Sequence, residues 1–334
     1  ALIDLSRSPL YSSIGPTWYR GTAMCSPLVE SDVLASALAE IDARRVVMGH
    51  TSTSTRNVQQ RSNGRTIEID TGMLAEVYEG SGNALIIEGD RLTVVNEDGR
   101  TGLSPIDHPV RVGHESVPLG DAELENVLAN GDLVELSVEV GARRLMEVTH
   151  NGLTVFAHFS ESQDRQFAAE IAAYRLDRML GLGMVPVTVS REVDGQPGTL
   201  QLLPVETVSD AELAGFRDQI GAPCALDKQA TAMRVFDALI GNPERSPTTM
   251  LYDSADLLLI LTNQGDAFDG ATVRSGYFSP AGPEVNDEWQ KALRGLDDAA
   301  LQANLGDVLD EQQLEALRQR RDALLDSPVI LHSE

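Results

Sequence analysis

The chain has 334 residues, 42% of them hydrophobic, and carries a formal net charge of −25. That length accommodates two domains of roughly 150 residues each, and that apolar fraction supplies real cores, which excludes wholesale disorder. The acidic surplus repels phosphate backbones and anionic lipid, no Lys/Arg run offsets it, and no apolar stretch reaches the roughly 20 residues a membrane helix needs, so nucleic-acid binding and membrane insertion are excluded.

The first hundred residues read as alternating helix and strand. Leu34, Leu38 and Ile41 form a helical stripe within residues 33–43. A short apolar strand over 45–48 ends at Gly49-His50, and Thr66-Ile67-Glu68-Ile69 alternates as a strand does. Residues 84–88 and 91–95 flank Gly89-Asp90, a hairpin signal. From 97 to 120 the composition turns to Pro and Gly, which marks a linker. The organisation expected is therefore a first region over 1–100, a linker over 101–120 and a second region over 121–334.

The second region opens with a helix between Asp121, read as its N-cap, and Gly131. Strands are expected over 133–140 and 153–159, and a longer helix over 164–180. A hairpin about Asp194-Gly195 follows, then a helix over 226–240 stopped by Gly241, two short strands over 250–252 and 257–261, and a polar-faced helical tail from Glu288. His108 and His114 read as solvated linker residues. The two cysteines, Cys25 and Cys224, are too few for a disulfide framework and read as free thiols; a bridge in an oxidising compartment is the alternative.

Chemistry in the first region centres on Trp18-Tyr19-Arg20-Gly21, Gly49-His50-Thr51 and Asp70-Thr71-Gly72-Met73. A His behind a Gly at the carboxyl end of a strand stands where α/β sheets place their ligands. Imidazole there can bind metal, and an Arg in a Gly-bounded loop can fork onto phosphate. Residues 15–99 resemble the C-terminal half of the bacterial calcineurin-like metallophosphoesterases related to serine/threonine phosphatases. The resemblance implies a β-sandwich portion with His50 as a metal ligand, Arg20 as the phosphate-gripping catalytic residue, and Tyr19 and Asp70 in support. The family's other ligands lie in its N-terminal half. The chain starts at Ala1 and is expected to be a fragment or a processed product, with that half upstream or on a separate chain. A divalent metal (manganese, iron or zinc) is expected only when that half is present.

In the second region the telling stretches are residues 170–186, 236–247 and 261–268. They resemble a bacterial kinase-like family akin to the secreted Fam20-type kinases and to lipid-kinase-like folds. Kinase chemistry needs a strand Lys paired with a helix Glu, a loop Asp, and an Asn and Asp that hold magnesium. The resemblance maps these onto Ala157, Glu170, Glu244, Thr249 and Asn263, so only the helix Glu survives. His158 is a candidate stand-in for the lysine. The region is thus expected to be a pseudokinase that takes no ATP. The function expected is the rear portion of a metal-dependent phosphoesterase with an inactive kinase-like accessory domain. The alternative is a non-catalytic binding or regulatory scaffold, with a protein partner in either case. The protein is expected to be soluble and bacterial, with the cytoplasm and the periplasm both open as its compartment.

Overall fold

The computed structural model describes residues 15, 18–53, 56–78, 80–103, 120–138, 143–161, 165–204, 206–215, 221–243, 245–269 and 285–326. The chain divides into two compact units, Ala1–Val110 and Arg111–Glu334, both of mixed α/β composition. His108, His114, Glu244 and most of the expected linker lie outside the described residues.

In the first unit, α1 (Gly21–Met24) leads into α2 (Pro27–Glu40). Ser26 caps α2 by accepting from the Leu28 amide at 3.2 Å, and Pro27 costs nothing in the first turn, where its missing N–H has no partner to lose. The stripe Leu28, Leu34 and Leu38 is buried, while Ile41, expected in the same stripe, lies past the helix end and is exposed. Strands β1 (Val46–Met48), β2 (Gln59–Arg61) and β3 (Thr66–Glu68) make a sheet in the order β1-β3-β2, with β1 and β3 parallel. After the short helix α3 (Ala75–Tyr78), β4 (Ala84–Glu88), β5 (Arg91–Asn96) and β6 (Gly99–Gly102) form a second, antiparallel sheet. Gly99–Gly102 therefore extends the hairpin instead of opening the linker. Val58 and Ile67 from the first sheet's neighbourhood and Val94 from the second pack into one core. Buried Arg61 crosses to the α1 turn and bonds the carbonyls of Thr22, Ala23 and Cys25 as well as the Glu68 carboxylate.

The second unit begins with α4 (Asp121–Asn130), whose N-cap is Gly120; the Glu123 carboxylate accepts from the Gly120 amide at 2.8 Å. Five antiparallel strands follow: β7 (Asp132–Val138), β8 (Arg144–His150), β9 (Leu153–Glu161), β10 (Thr188–Val193) and β11 (Gln196–Leu202), in the order β10-β11-β9-β8-β7. Helix α5 (Arg165–Leu180) is inserted between β9 and β10. Its Asp177 is fully buried and accepts from the amides of Gly183, Met184 and Val185, which fixes the turn into β10. Next come β12 (Thr207–Ser209), α6 (Asp210–Leu213), α7 (Leu226–Ile240), β13 (Met250–Asp253) and β14 (Leu259–Leu261), the three strands ordered β12-β13-β14. Gly241 stops α7 in the left-handed region at φ 67°.

The polar tail folds into α8 (Asp287–Gly295), α9 (Asp298–Leu305) and α10 (Glu311–Asp326), and it is more than a solvated face. Trp289, Leu293, Leu301, Leu305, Leu314 and Leu317 are buried, and so is Arg320. The Arg320 guanidinium bonds the carbonyls of Leu239, Ile240 and Asp269, closing the C-terminal end of α7. Neither Cys25 nor Cys224 is a free thiol, which corrects the expectation of free thiols.

Candidate functional site

In the first unit Tyr19, Arg20 and His50 line one cavity of about 400 Å³. Its walls are apolar side chains of α2 and β1, among them Val33, Leu34, Ala37, Val46 and Met48. His50 stands at the carboxyl end of β1, as Gly49-His50 suggested. Its φ of 65° is uncommon for a residue with a side chain, and Trp18 meets its ring edge-on at 5.9 Å. Asp70 does not line the cavity. It orders its own loop by accepting from the Gly72 amide at 3.0 Å and the Ser52 hydroxyl at 3.3 Å.

The acid that does reach this cavity is Glu30, which the sequence reading passed over as one more residue of a helix. Its carboxylate accepts the Tyr19 hydroxyl at 2.6–2.7 Å and is 3% exposed. Burial pushes Glu30 up to about 7, against the downward pull of the Tyr19 hydrogen bond and the Arg61 charge. Burial and the adjoining carboxylate likewise push the Tyr19 phenol upward. A folded-state value above the unfolded 4.5 means that the folded unit binds the proton more tightly. The stabilisation is complete below pH 4.5 and is lost as pH rises to about 7. We expect the first unit's melting temperature to fall between pH 5 and 8, and Glu30→Gln to flatten that dependence. Melts at four pH values check this, and an unchanged slope in Glu30→Gln refutes it.

The second unit gathers a separate polar cluster. Glu170 on α5 is buried and accepts the Thr199 hydroxyl of β11 at 2.5 Å. Arg143, directly before β8, has its guanidinium 3.7 Å from Glu170 and donates to the Asn263 side-chain oxygen at 2.7 Å. Burial is the main influence on the Glu170 carboxyl and raises it; Thr199, Arg143 and His158 pull the other way.

The register explains which strand residue faces Glu170. Thr199 lies opposite Ser160, so by strand alternation His158 shares Thr199's side of the sheet, whereas Ala157 points to the other side and is fully buried. Ala157, the position expected to match a lysine, is thus turned away from Glu170.

Asn263 follows β14 at φ 62°, a conformation Asn tolerates better than most residues. The preceding carbonyl, Thr262 O, accepts from Arg245 at 2.8 Å. Arg245 also forks onto Asp237 of α7 with two contacts of 2.9 Å, both side chains 1% exposed, and Asn242 adds a third bond at 3.1 Å. Thr249 spends its hydroxyl on Ser246, donating to the carbonyl and accepting from the amide, both at 3.1 Å.

Neither implied metal centre fits the described residues. Among them no group of three or more His, Cys, Asp or Glu side chains could hold a metal ion. In the first unit a single imidazole does not make a two-metal site. In the second, neutral Asn263 faces a guanidinium, and Thr249 is committed to Ser246.

No family model matches the chain, and no curated protein matches it in sequence. Among solved structures it is similar to the Helicobacter pylori proinflammatory kinase CtkA, at 14% identity and a TM-score of 0.44, over 60% of this chain and 94% of that one. It is similar to hydra Fam20 at 13% identity and a TM-score of 0.45, over 62% and 87% respectively. The Golgi casein kinase matches at 14% identity and a TM-score of 0.42, over 62% and 75%.

Proposed function

We propose that the second unit is a kinase-like binding module that does not transfer phosphate, and that the chain acts as a non-catalytic regulatory protein. The observation that carries this reading is Arg143 beside Asn263. Phosphoryl transfer needs acidic side chains to hold a divalent cation against the nucleotide. Here a neutral amide accepts from a guanidinium at that position. The partner expected is a protein, and the first unit offers it exposed apolar side chains: Trp18, Val47, Met73, Leu74, Val77 and Tyr78. Cysteines that are not free thiols favour the periplasm over the cytoplasm for such a protein.

The test is the purified chain with ATP and magnesium. We expect no thermal shift and no transfer of labelled phosphate to the chain or to a generic protein substrate. Micromolar nucleotide binding together with labelling would overturn the reading.

A second reading draws on the cavity shared by Tyr19, Arg20 and His50. In it the first unit is the rear portion of a metal-dependent phosphoesterase, with Arg20 directed at phosphate and His50 donating one ligand. The remaining ligands would come from an upstream segment or a separate chain, and manganese, iron or zinc would bind only then. Near two metal ions per assembly and phosphate-ester turnover lost in His50→Ala would support it. A metal-free, inactive assembly with that segment supplied would refute it.

A further inference from the structure

We infer that Arg143 is a built-in counter-cation that holds α5 and the loop after β14 together without nucleotide or metal. The inference rests on the non-catalytic reading above and says how such a module keeps one shape.

A buried carboxylate such as Glu170 is costly to ionise unless a cation and hydrogen bonds compensate it. The strand that should supply a lysine presents Ala157 to the opposite side, and on the Glu170 side it carries the imidazole of His158. Arg143, directly before β8, adds a guanidinium. A guanidinium stays charged and is weakly hydrated, which suits it to a part-buried ion pair. One guanidinium nitrogen donates to the Asn263 side-chain oxygen after β14 at 2.7 Å and lies 3.7 Å from the Glu170 carboxylate on α5, an ion-pair contact. The Asn263 segment is held from its other side by Arg245 through the Thr262 carbonyl. A single side chain therefore ties the five-stranded sheet and α5 to the β14 loop. Its 32% exposure leaves the contact near the surface, so losing it loosens this tie without emptying a core.

The experiment is hydrogen exchange on the full chain. Wild type is measured alone, with ADP and manganese, and with EDTA. Amide protection around Glu170 and over residues 259–269 is expected to be the same in all three. Arg143→Ala is expected to lose about tenfold protection at both places while the rest of the unit is unchanged. Asn263→Ala should reproduce the loss over 259–269, and the double variant should lose no more than Arg143→Ala alone.

Unchanged protection in both single variants overturns the inference. So does a rise in wild-type protection with ADP and manganese. The two failures are separable: unchanged protection without phosphate transfer sinks the counter-cation and spares the non-catalytic reading, whereas phosphate transfer sinks the reading itself.

Discussion

Asp237→Ala is expected to destabilise the second unit by about 3–5 kcal/mol, the range for stripping one partner from a buried ion pair. The change leaves the Arg245 guanidinium, 1% exposed, with only the Thr262 carbonyl among its described partners, and it deprives Asn242 of an acceptor. For a unit of this size each kcal/mol moves the melting temperature by about 2–4 °C, so a drop of about 6–20 °C is expected by calorimetry. The same change should free the segment leading to Asn263, because Arg245 is what anchors it. Replacing the pair together, as Asp237→Leu with Arg245→Met, should recover much of the loss, since apolar side chains of similar volume remove the uncompensated charge. A single variant that melts within 2–3 °C of wild type would show that the pair contributes little.

Arg320→Ala should cost about 3 kcal/mol, for a different reason. The last carbonyls of a helix have no partners within it. Arg320 bonds Leu239 O at 2.8 Å and Ile240 O at 3.4 Å, and Asp269 O at 3.2 Å besides. Burial pulls the guanidinium down to about 10, so it is still charged at neutral pH and its bonds to carbonyls are charge-assisted. Hydrogen exchange should localise the damage to the last turn of α7. Arg320→Lys should recover only part of the stability, since an ammonium cannot reproduce the fork. Loss spread evenly over the unit, with α7 no worse than its neighbours, would contradict the capping role.

Much of this architecture is legible in residue patterns, and the exceptions have physical causes. The helices α5 and α7 follow apolar stripes ended by Gly181 and Gly241, whereas α2 begins at Pro27 behind its N-cap Ser26, ahead of the stripe read over 33–43. The strand β8 escapes a hydropathy reading because Arg144, Glu147 and Thr149 interrupt it; only Met146 and Val148 are buried. The signal that finds it is Asn151-Gly152, both at positive φ, the strongest short hairpin dipeptide. Missing β8 also hides Arg143, whose partners Glu170 and Asn263 are far away in sequence. Glu30 is invisible for a related reason: a Glu in a helix looks solvated until the fold sets Tyr19 against it. The misplacement of Ala157 is a question of register. A one-residue step along a strand reverses the side it faces, and residue spacing alone does not resolve that step.

The capping of α7 by α10 has a consequence for how the protein is made. Arg320 follows Leu239 by 81 positions. At ribosomal speeds of about 5–20 residues per second, that gap lasts roughly 4–16 s. For those seconds the helix has been made while its closing guanidinium is still unsynthesised, so the unit completes its fold only once α10 follows.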